Sequence, residues 1–286
     1  MKAILFVLLL VACVMAFLPA ASPAADSVPR YAVATVATPV LNTPDFKKYF
    51  SGSIALDPCK GVRPIEFVAL PGTLFRVQAE LEKDGVPVYR VTTNDYPYPS
   101  TTGYFVDARF VKLMAPPVAE RPRRLPGLDE IRQRLVATLG KPYVWGGNVK
   151  DGLPQLLKYY PQADTLSGVD CSGLLYQAAD GFTPRNTSAL TSFGKPVAVA
   201  GLSAEQIAEQ LQPLDLIVWK GHVMIVLDKD SFIESTMGCE GGGGSVHLTP
   251  LRSGLRHLMK RRQPADAFPK GAAAAKAFVV RRWFGR

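Results

Sequence analysis

Gly168-Val169-Asp170-Cys171-Ser172-Gly173 sets a cysteine where an extended stretch gives way to a helix. The helical pattern runs over residues 172–180 and stops at Gly181, so Cys171 stands at the helix start. Unpaired N–H groups and the helix dipole stabilise a thiolate at such a place. The Cys171 N–H can also help hold the oxyanion of a tetrahedral intermediate. A cysteine so placed can equally be a buried apolar residue, so the reading turns on finding a base.

The chain has three histidines. His222 opens an apolar strand directly after Lys220-Gly221, at a strand end where sites are accessible. His257 lies in the basic stretch 256–262 and reads as surface. His247 follows a run of glycines and is the rival to His222. Position favours His222 as the base for Cys171. A third group must orient its imidazole, and Glu234 lies on the next strand. A hairpin folded about Asp228 sets positions 222 and 234 opposite one another. A carboxylate there holds the productive tautomer and favours the imidazolium once formed. The alternative for Glu234 is a surface residue ending a strand.

Around this core the second half reads as helices followed by strands. Residues 128–140 form a helix with Asp129 and Glu130 in its first turn and an apolar stripe through Leu128, Ile131, Leu135 and Leu139. Another helix covers 204–211. Strands follow at 216–219, 222–227, 232–234 and 278–283, which makes the fold class α+β. Gly241-Gly242-Gly243-Gly244 lacks the Lys-Ser/Thr of a phosphate loop and reads as a linker or lid.

The first half reads as short strands at 31–36, 65–70, 73–81, 86–92, 104–106 and 110–113, broken by Pro71-Gly72 and Asp84-Gly85. Their spacing predicts a small barrel. Pro116, Pro117, Pro122 and Pro126, mixed with arginines, place a linker at 116–127. Ahead of all this, Lys2, an apolar run over 3–18 and small residues to Ala25 read as a secretory signal. That run is shorter than the roughly 20 residues of a spanning helix. The domains expected are thus a leader over 1–25, a barrel over 26–115, a linker over 116–127 and a catalytic domain over 128–286.

Motifs at Pro142-Tyr143-Val144-Trp145-Gly146-Gly147, Asp170-Cys171-Ser172-Gly173, Pro213-Leu214-Asp215-Leu216 and His222-Val223 together resemble the NlpC-type cell-wall peptidases. The resemblance spans most of the second half. It implies a papain-like fold with Cys171 as nucleophile, His222 as base and Glu234 as the third residue, where the family usually has His. It also implies Asp170 and Ser172 as recognition groups for a stem's free N-terminus, and Tyr143 as a donor over the nucleophile. Plain core packing is the other reading of Tyr143 and Trp145. Leu214 stands where the family has Gly, which puts the local turn in question, and residues 151–167 form a long insert expected to shape substrate access. The first half, through Thr38-Pro39-Val40-Leu41-Asn42 and Gly103-Tyr104-Phe105-Val106, is similar to the bacterial SH3-like domain.

The expected activity is a peptidoglycan endopeptidase acting on wall stem peptides at the γ-D-glutamyl–diamino acid bond. The alternatives are an amidase or acyltransferase on the same Cys-His frame, or a wall-binding protein with an inactive peptidase-like domain. No metal or cofactor is implied, because no His/Cys/Asp cluster has ligand spacing. The net charge is +9, with arginines and lysines gathered near the C-terminus. They read as a solvated basic face, and no nucleic-acid motif accompanies them. Export to the periplasm or cell envelope follows from the leader, and Leu10-Val11-Ala12-Cys13 leaves open a lipid anchor at Cys13. Cys59 and Cys239 are left as a candidate pair.

Overall fold

The computed structural model describes residues 30–52, 59, 63–116, 118–239 and 244–285. The stretch read as a leader, Cys13 with it, and Gly241-Gly242-Gly243 lie outside them. Among the described residues no helix is long and apolar enough to cross a membrane.

Among the described residues the first half is all-β apart from one short helix and a 3₁₀ turn. Strands β1 (Arg30–Ala34), β2 (Thr38–Leu41), β3 (Ile65–Ala69), β4 (Leu74–Lys83), β5 (Val86–Thr92), β6 (Tyr104–Asp107) and β7 (Val111–Met114) form one sheet, with helix α1 (Phe46–Phe50) between β2 and β3. The β4–β5 hairpin turns on Asp84-Gly85, both at positive φ (53° and 78°), the geometry Asp-Gly turns favour. The strand order is β3-β2-β6-β5-β4-β1-β7, and the two end strands do not pair. The ladder is therefore open, and the all-β unit is not the closed SH3-like barrel expected. Strand β2 carries Pro39, which argues against a strand from sequence. It is tolerated because β2 meets β6 only at Leu41 and Phe105, leaving the ladder beside Pro39 one-sided.

Residues 118–127 form neither helix nor strand. Their arginines are used: Arg123 donates to Asp95 at 2.6 Å and Arg121 to the Asp180 carbonyl at 3.2 Å.

In the second half, helix α2 (Leu128–Val136) leads to a short pair, β8 (Asn148–Val149) with β9 (Gly168–Val169), and then to α3 (Cys171–Ala178) and α4 (Thr187–Leu190). Strand β10 (Lys195–Val197) and α5 (Ala204–Gln210) follow. The chain then makes β11 (Leu216–Trp219), β12 (His222–Val226), β13 (Ser231–Ser235), β14 (Val246–Pro250), α6 (Leu251–Met259), β15 (Gln263–Pro264) and β16 (Ala277–Arg282). The sheet runs β10-β16-β11-β12-β13-β14, with β15 beside β16. It is covered on both faces. Val218, Ile225 and Val279 pack with Ile131, Leu135 and Leu174, whereas Ile217, Met224 and Val280 pack with Ile207 and Leu255. Burial on both faces is why these strands read as unbroken apolar runs.

Helix α6 and strand β14 were not foreseen. Gly254 and the basic residues of α6 obscure the i, i+4, i+7 spacing of Leu251, Leu255 and Leu258, all buried. Nor is the C-terminal charge simply a solvated face: Arg281 is buried, and Arg282 pairs with buried Asp215 at 2.6 Å.

The insert at 151–167 does not border the site. Leu153, Leu156, Tyr160 and Leu166 pack into the first half, with Phe46, Phe50 and Ile65. The Tyr160 hydroxyl donates to buried Asp107 at 2.7 Å. Asn148 makes a second joint, accepting from Val68 N–H and donating to Val68 C=O, each at 2.9 Å, like a strand partner. Cys59 and Cys239 are disulfide-bonded, with Cα atoms 5.5 Å apart. These contacts hold the first sheet against the second half.

Candidate active site

Asp170 starts α3. Its carboxylate accepts from Gly173 N–H at 2.7 Å, a regular N-cap, and Cys171 becomes the first helical residue. Gly173 lets the helix seat close to the preceding loop, since a Cβ there would lie 2.0 Å from the Gly147 carbonyl oxygen. Cys171 is buried and is the free cysteine among the described residues. Its sulfur lies 3.9 Å from the Gly221 carbonyl, at the tip of the β11–β12 hairpin. That hairpin turns through Lys220-Gly221, with Gly221 at φ 87° and Trp219 paired with His222. The turn thus delivers the first residue of β12 to the thiol.

His222 Nε2 lies 2.7 Å from Glu234 Oε2. The β12–β13 register pairs Ile225 with Ile233 and Val226 with Phe232, so Glu234 faces Met224 and lies diagonal to His222. The expectation of a directly opposed pair is corrected by one pairing step. The turn is centred later than Asp228, because Asp228 accepts from both Asp230 and Ser231 N–H and lengthens the loop. The two-residue period keeps both side chains on one face, and diagonal neighbours remain in reach of long side chains.

Burial opposes charge on His222, but hydrogen bonds to Cys171 and Glu234 outweigh it and raise the imidazole to about 10. The cation is favoured by the charge on its partners. The other oxygen of Glu234 lies 3.6 Å from His247 Nε2 and 3.5 Å from the Thr249 hydroxyl. The rival histidine therefore sits behind the carboxylate, across β13 and β14. His257 lies on α6 and lines the larger cavity described below.

Tyr143 is half-buried. Burial, with Asp170 and Cys171 nearby, pushes its phenol well above the usual range, so it stays a neutral donor. Trp145 is more than a third exposed and carries the Arg63 guanidinium 4.0 Å above its ring. Ser172 donates to Asp170 and accepts from Arg185.

Residues 140–247 match the NlpC/P60 family model. The chain carries an NlpC/P60 domain. Similar solved structures include an NlpC/P60 family protein from Bacillus cereus ATCC 10987, at 19% identity and TM-score 0.35, covering 90% of this chain and 64% of that one. The peptidoglycan hydrolase RipB from Mycobacterium tuberculosis is 20% identical at TM-score 0.34, with 56% of this chain and 65% of RipB covered. RipD of the same organism, described as a non-catalytic NlpC/p60 domain protein adapted to peptidoglycan binding, is 22% identical at TM-score 0.30, over 43% and 86% of the two chains. The chain thus spans less than two thirds of the length of the first two. No curated protein sequence matches it.

Tyr143, Asp170, Cys171, Ser172, His222 and Glu234 all fall inside the NlpC/P60 match. Other residues of the site were missed. Arg185 is fully buried. It donates to both oxygens of Asp170 at 2.9 and 2.7 Å, to Ser172 at 2.9 Å, to Asn148 at 3.1 Å and to the Gly147 carbonyl at 3.1 Å. Nothing in its neighbourhood in the chain announces this. Glu66, Asn42 and Tyr96 come from the first half, outside the NlpC/P60 match. Together with Cys171, Asp170 and Arg185 they line a cavity of about 370 Å³. Glu66 accepts from Asn42 at 3.0 Å and from the Tyr96 hydroxyl at 3.1 Å. The one signal available was a lone carboxylate inside the apolar run Ile65-Glu66-Phe67-Val68-Ala69.

Leu214, at the position that departs from the family, takes φ 69° while fully buried. Its carbonyl accepts from the Trp283 indole at 2.8 Å. The turn keeps a left-handed geometry without glycine, at a strain of about 1–2 kcal/mol, and burying a leucine side chain offsets it by about 1.5–3 kcal/mol.

Proposed function

We propose that this chain is an exported peptidoglycan hydrolase: a cysteine endopeptidase that cuts wall stem peptides at the γ-D-glutamyl–diamino acid bond. The observation that carries the reading is the convergence of α3, β12 and β13: Cys171 Sγ lies 3.9 Å from the Gly221 carbonyl, next to His222, whose Nε2 lies 2.7 Å from Glu234 Oε2. In this reading the Cys171 thiolate attacks the amide carbon while the helix start helps hold the oxyanion. His222 protonates the leaving amine and then takes the proton of the water that frees the acyl group from the thioester. Glu234 holds the imidazole with Nε2 toward itself, leaving Nδ1 for the sulfur.

Tyr143, Asp170 and Ser172 are the substrate-side residues, as the family resemblance implies, but Asp170 acts differently from a free recognition group. Its oxygens already serve Gly173, Ser172, Gly146 and Arg185, so it frames the cavity. Glu66 is the other carboxylate in that cavity, and we assign it the free amine of the stem. The catalytic domain is taken as 128–286, joined through 116–127 to an all-β unit ending near 115 that closes one side of the cleft.

The test is mass spectrometry of purified wall fragments incubated with the mature protein and with Cys171→Ala. The expected outcome is a dipeptide released from free-ended stems by the first and by none of the second. Intact fragments in both samples would replace this reading with that of a wall-binding protein.

A further inference from the structure

A second cavity, of about 680 Å³, adjoins the first. Tyr143, Trp145 and Gly221 line both, so the two meet at the catalytic centre, with Cys171 on one side and His222 on the other. The larger cavity lies between the β11–β12 hairpin and α6. Met224, Phe232 and Leu258 give it an apolar floor. Gly254 lets α6 lie against that floor, for a Cβ there would come within 2.3 Å of the Phe232 ring.

Among the described residues its charges do not balance. Lys220, Arg261 and Arg262 line it, and the carboxylate among its lining residues is Glu234, already bonded to His222. None of the three cations has a carboxylate within ion-pair distance among the described residues. Neighbouring cations on α6 do, since Arg256 pairs with Glu205 at 2.8 Å and Arg252 with Glu209 at 3.9 Å. Arg262 is half-buried above the Trp219 ring, 5.4 Å from its centroid, and donates to the Ala275 carbonyl. Burial lowers its pKa, as expected for a guanidinium losing water with no anion in return. A planar guanidinium and an ammonium flanking an apolar floor form a receptor for a carboxylate on a short carbon chain.

We infer that this cavity is the leaving-side subsite and that it selects amines carrying a free carboxylate next to the bond that is cut. The inference rests on Cys171 being the nucleophile, which puts the acyl part in the smaller cavity and the departing amine on the His222 side. A diamino acid with free carboxylates fits it, and the same residue amidated does not. The cations also draw the cleaved amine's carboxylate away from Glu234, whose own charge is held by His222.

Three substrates with one acyl part separate this claim from the one beneath it. In the first the leaving residue ends in a carboxylate, in the second in a carboxamide, and in the third the leaving group is a neutral aminocoumarin. Coumarin release that depends on Cys171 supports the nucleophile, and its absence removes the peptidase reading itself. Given release, kcat/KM should favour the carboxylate over the carboxamide by about 10-fold or more, the weight of a hydrogen bond to a charged group. Arg262→Gln should bring that ratio toward one, and Arg262→Lys should keep part of it. Lys220→Gln, on an exposed turn where folding is not at stake, should lower the ratio less. The ratio should also shrink as salt rises. Equal rates on carboxylate and carboxamide, or a ratio unmoved in Arg262→Gln and Lys220→Gln, would overturn the inference while leaving the peptidase intact.

Discussion

The two cavities that meet at Cys171 are built on opposite principles. On the Cys171 side the buried ion pair is already satisfied: Arg185 spends all its donors on Asp170, Ser172, Asn148 and Gly147. On the other side three cations face an apolar floor with no carboxylate in ion-pair range among the described residues. A pre-satisfied frame keeps its shape whether or not substrate is present, whereas an uncompensated one gains most when a charged ligand arrives. The contrast suits an enzyme that fixes the position of the acyl part and uses the departing part to discriminate.

The largest effect should come from breaking the satisfied side. Arg185→Met leaves the Asp170 carboxylate buried without its cation, and removal of one partner of a buried pair costs about 3–5 kcal/mol. Urea unfolding should report a loss of that size. Because Asp170 also caps α3, the thiol should lose its place along with stability. Adding Asp170→Asn to Arg185→Met should recover part of the loss, since the orphaned charge is gone. A cost below about 1 kcal/mol, the range of exposed pairs, would mean that this side is not a rigid frame and that the contrast fails.

That frame shows where sequence reading stopped. The positions of Cys171 and His222 were legible because local rules decide them: a helix starts at Cys171 and a strand starts after Lys220-Gly221. Strands β11 and β12 were legible because two-sided burial leaves continuous apolar runs. The Glu234 face was found from the two-residue period, but its register slipped because the loop after Val226 is set by hydrogen bonds that the Asp228 carboxylate accepts from Ser231. Arg185 and Glu66 were illegible because each acts across the fold, on partners 15 and 30 residues away. Pro39 hid β2, since nothing local says that one side of its ladder is empty. The insert was expected to shape substrate access because nothing local says where its apolar residues pack. Their partners are in the first half of the chain.

Glu234 lies on the unsatisfied side, and its replacement sharpens the contrast at the next level. Glu234→Gln keeps the shape and removes the charge that helps raise His222 to about 10. The imidazole pKa should fall in the variant, as read by NMR titration of the ring protons. Activity should drop roughly 10²-fold, part of the 10²–10⁴ that a positioned acid–base contributes. The sign for stability follows from the raised value. The contribution of charged His222 is full below its ordinary value near 6.5 and is lost as pH climbs through about 10. Glu234→Gln should lower the upper end of that window. A His222 titration unchanged in Glu234→Gln would show that the carboxylate acts on His247 instead, 3.6 Å from its other oxygen.

The smallest effect is the most selective. Glu66 lies outside the NlpC/P60 match, held by Asn42 and the Tyr96 hydroxyl, and faces the smaller cavity with Arg63 also present there. If Glu66 receives the stem's free amine, Glu66→Gln should raise KM about 10-fold, the weight of one charge-assisted hydrogen bond, with kcat nearly unchanged. The same variant should make no difference on stems whose amine is acetylated, because they bring no cation for the carboxylate to hold. Since both hydrogen bonds to Glu66 are donated to its oxygens, glutamine can keep only part of them, and the acetylated control measures that loss directly. Equal KM changes on free and acetylated stems would assign Glu66 to holding the Tyr96 and Asn42 wall in place. The first half of the chain would then shape the cleft without reading the substrate's charge.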